Sequence, residues 1–381
     1  MKVILSVEPV RYPLTGIGRY TFELARHLQT NTSIEELRFF AGRSFRSELA
    51  VPQATPGGSH FVKRFVQKRP LFIETYRVLS QYLKGKALKG MDEYLYHGPN
   101  FFLPPFPGPS VVTFHDLSPF TWKSCHQPQL LSFMEKGINY ALHTASALIT
   151  DSEYTRRELA NYFSWPLEHI HAVPLASSGE FTPRPKEEVE PLLNKYKLRW
   201  QGYSLFVSTI EPRKNIETLL EAYSRLPQTL RLRYPLILTG YEGWQNESIM
   251  QRISKAEREG WARYLGFLPS NELPLLFAGA RLFTFPSHYE GFGLPVLEAM
   301  SSGIPVVCSN SSSLPEVAGE AALMCEPMDV DSLTGLLSRG LEDETWREQA
   351  ITLGLKRAAE FSWARCAAET VQVYKKVLSA R

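Results

Sequence analysis

Short apolar runs alternate with amphipathic stretches along most of the chain. This is the pattern of strands feeding crossover helices onto parallel sheets. In the first half, residues 2–7 predict a strand and 18–29 a helix. Residues 93–97, 110–115, 147–150 and 169–173 predict further strands. Helices fit 128–143 and 152–163, the second with Ser152 as a residue suited to capping it. Residues 174–190 hold Pro174, Pro183 and Pro185 with Ser177-Ser178-Gly179, a composition that suits an interdomain linker. The alternation then restarts. Residues 203–209 predict a strand, followed by a helix capped by Asn215 with apolar Ile216, Leu219, Leu220, Tyr223 and Leu226 on one face. Residues 236–239, 264–267, 282–285 and 305–308 predict more strands. The last helical stretch, 363–378, has no strand after it and must dock as a lone helix. Two doubly wound halves imply a cleft where the loops at the carboxyl ends of the strands converge.

The length of 381 residues agrees with two domains. A hydrophobic content of 44% and a charged content of 21% are those of a globular protein, not of a disordered, fibrous or repeat chain. The net charge of +3 gives no reason to expect nucleic-acid binding. Its distribution adds one feature. Between His60 and Gly90 stand Lys63, Arg64, Lys68, Arg69, Arg77, Lys84, Lys86 and Lys89 against the single acid Glu74, interleaved with apolar residues. Such a stretch suits peripheral contact of residues 60–90 with an anionic membrane surface, or a solvated helix pair broken at Pro70. Cys125, Cys308, Cys325 and Cys366 are far apart without C-x-x-C spacing and read as reduced thiols, not a zinc site or disulfide framework. With no signal-peptide pattern and no spanning segment, the expectation is a cytoplasmic protein whose membrane contact is peripheral on the inner face.

The densest chemistry lies in His288-Tyr289-Glu290-Gly291-Phe292-Gly293-Leu294-Pro295-Val296-Leu297-Glu298-Ala299-Met300. Gly291 and Gly293 allow close backbone approach to a ligand, and Pro295 suits the first position of a helix. The start of that helix offers free N–H groups and a positive dipole end to an anion. Glu290 precedes the helix and Glu298 sits about one turn in, leaning back toward its N-terminus. Carboxylates beside an anion site make sense if they accept hydrogen bonds from neighbouring hydroxyls, as a ribose and a sugar would supply. A second constellation, Ser208 to Asn215, places Arg213 and Lys214 just before a helix, where two cations can neutralise a departing diphosphate. His115 ends an apolar strand and should emerge at the carboxyl edge of the sheet, unless it is a satisfied structural histidine. Asp329-Val330-Asp331 has the spacing of a metal-binding D-x-D but precedes Leu333, Leu336 and Leu337 at helical spacing, so it reads as a helix start. No histidine has metal-ligand spacing, and Gly16-Ile17-Gly18 lacks the third glycine of a dinucleotide fingerprint. No metal and no cofactor are expected.

These motifs resemble glycosyltransferase family 4, whose members are retaining, metal-independent enzymes. Glu290 and Glu298 with Gly291-Phe292-Gly293-Leu294-Pro295 between them carry the resemblance, with Arg213-Lys214-Asn215 and Gly16-Ile17-Gly18-Arg19-Tyr20. Thr113 to Leu117, Asp151-Ser152-Glu153, Tyr264 to Phe267 and Phe361-Ser362-Trp363 also match. Thr15 stands where the family often has a first glycine, which bears on how closely that loop approaches the donor. The resemblance implies the GT-B fold: two Rossmann-like doubly wound α/β domains, an interdomain cleft and a C-terminal helix crossing back to the first domain. The expected division is an acceptor-binding domain over 1–178 with 363–381 and a donor-binding domain over 179–362.

Carried over by position, Arg213 and Lys214 would hold the donor diphosphate, Glu290 the transferred sugar and Glu298 the ribose. Gly291, Phe292, Gly293 and Leu294 would complete the sugar and phosphate site. Gly266 and Phe267 would meet the nucleobase, His115 would reach the donor sugar, and Gly16 and Gly18 would leave room for diphosphate or acceptor. Within the family the chain is most similar to bacterial mannosyl- and rhamnosyltransferases of lipopolysaccharide assembly. That similarity implies a GDP-sugar donor and a lipid-linked glycan acceptor. Tyr96, Phe101, Phe102, Phe106 and Phe120 would stack on acceptor sugars, or pack within the domain. The alternatives are a UDP- or ADP-sugar donor, a nucleotide-sugar epimerase sharing the fold, and a non-catalytic binding subunit.

Overall fold

The computed structural model describes residues 1–14, 16–49, 70–125 and 128–380, without side chains at 70–78 and 128–130. Thr15 and the basic residues Lys63, Arg64, Lys68 and Arg69 lie outside the described residues, as does the Arg77 side chain. The described chain forms two sheets. The first holds β1 (Lys2–Ser6), β2 (Glu36–Ala41), β3 (Ser44–Arg46), β4 (Leu95–Gly98), β5 (Ser110–Phe114), β6 (Ala147–Thr150) and β7 (Ile170–Ala172) in the order β3-β2-β1-β4-β5-β6-β7. The second holds β8 (Ser204–Val207), β9 (Leu236–Thr239), β10 (Ala262–Tyr264), β11 (Leu282–Phe285), β12 (Val306–Ser309) and β13 (Ala322–Cys325) in the order β10-β9-β8-β11-β12-β13. Every pairing is parallel except β2 with β3.

Burial explains the sequence pattern. All residues of β4, β5, β6, β9, β11 and β12 are buried. Strands covered by helices on both faces read as unbroken apolar runs rather than alternating ones. In each sheet the chain order reverses beside the first strand, between β1 and β4 and between β8 and β11. At such a switch point the loops leaving the carboxyl ends diverge and open a crevice. The loops after β8 and β11 are those that carry Arg213-Lys214 and Glu290.

The C-terminal helix Trp363–Ser379 crosses back to the first sheet. Its N-cap Ser362 accepts from the Arg365 N–H. It packs on the helix Gly16–Gln29 and against β6. Its Tyr374 hydroxyl lies 2.6 Å from Nδ1 of His97, buried in β4, and His97 Nε2 lies 2.8 Å from Thr113 Oγ1. Burial pushes His97 down to about 3, so the imidazole is neutral, with one ring nitrogen donating to its hydroxyl partner and the other accepting.

Several expected elements move. β2, β3 and β13 were not foreseen. The strand expected at 264–267 is β10, ending at Tyr264, because Gly266 adopts φ +70° and turns the chain away. The expected linker is shorter than 174–190, since a helix, Lys186–Lys195, begins inside it and buries Val189, Leu192 and Leu193 against the helix Leu273–Ala278. Pro70 opens the helix Pro70–Ala87, and the part of the expected helix pair that would precede it lies outside the described residues. Asn215 sits at the N-cap of the helix Ile216–Arg225 but in the left-handed region, φ 56°, and its side chain does not cap. Its amide donates instead to the carbonyls of Pro286 (2.9 Å) and Pro327 (2.6 Å), tying the β8 loop to the loops after β11 and β13. Ser152 does cap Glu153–Phe163 as expected, accepting from the Thr155 N–H. Asp329 likewise caps Val330–Glu342, so the D-x-D is a helix start, with Asp331 paired to Arg225.

Candidate active site

Glu211 leads into a short 3-10 turn, Pro212–Lys214, that directs the side chains of Arg213 and Lys214 toward the β11 loop. Lys214 Nζ lies 2.6 Å from Glu290 Oε1, with both side chains about nine-tenths buried. Arg213 is held by Glu211 at 2.8 Å, donates to the Tyr289 carbonyl at 2.9 Å and stands 3.8 Å from Glu290 Oε2. Ser287 Oγ donates to the same Glu290 oxygen as Lys214, at 2.7 Å. Burial, then the neighbouring Arg213, pushes Lys214 below its ordinary range against the pull of Glu290. Burial also opposes the Arg213 charge, but the carboxylates of Glu290, Asp116 and Glu211 outweigh it and hold Arg213 above its usual value. Lys214 and Arg213 are thus buried among the carboxylates of Glu290 and Glu211 with Asp116 nearby, and an arriving anion would compete with Glu290 for the two cations.

The β11 loop then runs into the helix Leu294–Ser301. Gly293 is its N-cap at φ +107°, and Pro295 occupies its second position rather than its first. The first N–H groups of this helix have no intrahelical acceptor. Glu298 lies within the helix, where burial pushes its carboxyl up to about 8 against the pull of Arg19 from the first domain. Gly16, at the start of the helix Gly16–Gln29, sits where a Cβ would be 3.7 Å from Leu294 Cδ1. Gly16 therefore faces the start of the helix that carries Glu298 across the cleft. Gly18, two residues on in the same helix, is buried.

His115 follows β5 and is buried. Nδ1 lies 2.7 Å from Asp151 Oδ2 and Nε2 lies 2.9 Å from the Pro99 carbonyl. Both partners are acceptors, so both ring nitrogens carry hydrogen. Burial lowers the His115 basicity, but Asp151 and the Pro99 carbonyl overcome this and hold it above the usual histidine value. In this state neither nitrogen is open. The His115 carbonyl abuts Gly291, where a Cβ would lie 1.7 Å from it.

At the far end of the cleft, Phe267 stacks on Tyr241 with ring centroids 3.9 Å apart. Both rings are half exposed, at the carboxyl ends of β10 and β9, and Gly266 supplies the turn between them and the sheet. The aromatic residues considered for acceptor stacking pack internally. Phe101 packs on Phe114, Phe102 on Phe133, Phe106 on Tyr96, and Phe120 on Phe163.

Arg213, Lys214, Glu290 and Gly291 to Leu294 thus converge, with Gly16 across from Leu294 and Arg19 acting on Glu298 from the first domain. Gly266 and Phe267 stand apart at the β9–β10 edge. Sequence reasoning missed the first-domain residues that grip the β11 loop. Ser152 Oγ and Thr155 Oγ1 donate to the Gly291 carbonyl at 2.7 and 3.1 Å. The Trp122 ring stacks on His288 at 5.6 Å. Glu316 accepts from the N–H groups of Glu153 (2.8 Å) and Tyr154 (2.5 Å). The only sequence signal was that Tyr289 and Asp151-Ser152-Glu153 sit in or beside motifs. Among the described residues no group of three or more His, Cys, Asp or Glu is placed to hold a metal, and no helix is long and apolar enough to cross a membrane.

Residues 195–357 match the family model described as glycosyl transferases group 1. The O-antigen chain mannosyltransferase B of Escherichia coli is 46% identical over 381 residues, covering 98% of this chain and 100% of that one. The serotype-specific mannosyltransferase WbdA of Escherichia coli is 34% identical over 283 residues, covering 72% of this chain but 34% of its own length. The structure of Anabaena HepE in complex with UDP-glucose superposes with a TM-score of 0.71 at 17% identity, covering 100% of both chains, which places the fold among GT-B proteins. With its GT-B architecture, its paired glutamates and these relatives, the chain belongs to glycosyltransferase family 4 and is a glycosyltransferase.

Proposed function

We propose that this enzyme transfers mannose, with retention, from GDP-mannose to a lipid-linked glycan in O-antigen assembly. The observation that carries the reaction class is the buried cluster of Lys214, Arg213 and Glu290 at the switch point of the second sheet. The relatives named mannosyltransferases support the sugar and the pathway. The donor diphosphate replaces Glu290 on Lys214 and Arg213, whose charges neutralise the leaving group as the anomeric bond breaks. Glu290, released from the ion pair, accepts hydrogen bonds from the sugar hydroxyls. Glu298 accepts from the ribose, and backbone N–H groups of Gly291 to Leu294 face the phosphate and sugar. Phe267, with Tyr241, offers a stacking face to the nucleobase. His115 must exchange its Pro99 contact for a donor hydroxyl to take part. Residues 1–178 with 363–381 serve the acceptor, and 179–362 serve the donor. Contact of residues 60–90 with the membrane would bring the first domain to its lipid-linked substrate.

The test is turnover of GDP-mannose, GDP-rhamnose, UDP-glucose and ADP-glucose with a mannose-terminated lipid-linked oligosaccharide. GDP-mannose should give a product one hexose longer. Faster turnover of another donor would overturn the donor assignment, and donor consumption without acceptor elongation would overturn the pathway.

A further inference from the structure

We infer that Glu158 and Tyr289 are positioning residues, through which the first domain fixes the Glu290 loop in its reactive place. This rests on the reading that Glu290 faces the transferred sugar. Tyr289 immediately precedes Glu290 and is nearly fully buried. Its hydroxyl lies 2.8 Å from the Leu117 nitrogen and 2.5 Å from Glu158 Oε2. An amide can only donate, so the hydroxyl oxygen accepts from Leu117 and its one hydrogen goes to Glu158. The polarity of the relay is therefore fixed, and both ends belong to the first domain. Leu117 lies in the loop after β5, and Glu158 stands on the helix Glu153–Phe163.

The ring of Tyr289 is flanked by Trp122 (6.5 Å) and Tyr154 (6.3 Å), again from the first domain. On the other side of Glu290, Gly291 is held by Ser152 and Thr155 of the same helix start. Glu290 is thus gripped through both chain neighbours by one first-domain element. Its own side-chain partners, Lys214, Arg213 and Ser287, all come from the second domain. Donor binding needs only the second set, whereas an aligned Glu290 needs both. Separation of the domains releases Tyr289 and Gly291 together, so the loop reaches its catalytic position only when the cleft is closed.

The experiment compares Glu158→Ala, Glu158→Gln and Tyr289→Phe with wild type for kcat, for KM, for GDP dissociation constant and for melting temperature. Tyr289→Phe and Glu158→Ala should lower kcat about ten- to hundredfold, the range for losing one hydrogen bond to a charged acceptor. The GDP dissociation constant should stay within about threefold of wild type, since uniform binding is untouched. Glu158→Gln keeps a carbonyl acceptor for the hydroxyl and should recover most of the rate. Tyr289→Phe at wild-type kcat overturns the proposal. So does a loss carried equally by GDP affinity, or a Gln variant no better than Ala at equal melting temperature. Glu290→Gln, measured alongside, separates the two ideas: if it keeps full activity while Tyr289→Phe loses it, the role of Glu290 has failed and the relay acts on something else.

Discussion

Gly291 offers the sharpest perturbation of the interdomain seam. Its backbone lies outside the left-handed region, so alanine brings no conformational strain of its own. What it brings is a Cβ placed 1.7 Å from the His115 carbonyl oxygen, 2.8 Å from the carbonyl carbon and 2.9 Å from Asp116 Cβ. All three atoms belong to the first domain, and two are backbone, so no flexible side chain can swing aside. Restoring an ordinary contact needs a shift of roughly 1.5 Å between the two domains or within the loop. A displacement of about 1 Å at a reacting centre costs on the order of a hundredfold in rate. Gly291→Ala should therefore lower kcat about a hundredfold or more, by the same reasoning. The second-domain core does not include this contact, so the melting temperature should change little, and any loss of GDP affinity should be much smaller than the loss of kcat. Steady-state transfer, GDP titration and a thermal melt on one preparation would show the split. Activity within about threefold of wild type would refute the claim that this seam is the catalytic geometry.

Lys214→Ala strands Glu290 in a buried site with Arg213 3.8 Å away. It should cost about 3 kcal/mol of stability in chemical denaturation and abolish most of the thermal shift produced by GDP. Burial pushes the Glu298 carboxyl up to about 8. Because its folded value is raised above the unfolded one, its contribution to stability is complete below about pH 4.5 and is lost as pH rises through 8. Ribose hydroxyls favour the ionised carboxylate, so GDP affinity should rise between about pH 6.5 and 8.5 by calorimetry, and Glu298→Gln should flatten that slope. Tyr374→Phe leaves a buried His97 nitrogen unpaired and should destabilise by about 1–3 kcal/mol in urea unfolding, with kcat unchanged if the C-terminal helix acts only as a brace.

The parallel sheets were legible because their central strands are buried on both faces and so declare themselves as apolar runs, as in β5 and β9. β3, by contrast, is a three-residue edge strand with mostly exposed side chains, and β13 is only partly buried, so neither leaves a run to read. Asn215 looked like a helix cap because its type and position suit one. Its amide is used elsewhere because Pro286 and Pro327 present carbonyls that only the folded chain brings near. Glu290, Lys214 and Arg213 were legible together because one charged cluster is encoded in two compact motifs. Tyr289, Glu158 and Glu316 were not, since their roles depend on how two domains meet. His115 was legible as a residue of the carboxyl edge, but its double engagement by Asp151 and Pro99 was not.

The central claim is retaining mannosyl transfer at the Lys214–Glu290 cluster. It is tested most directly by the anomeric configuration of the product formed from GDP-α-mannose, read by NMR on the isolated oligosaccharide. An α-linked mannose, formed by wild type and lost in Glu290→Ala, is the predicted result. A β-linked product, or an α-linked one formed undiminished without Glu290, would contradict the account.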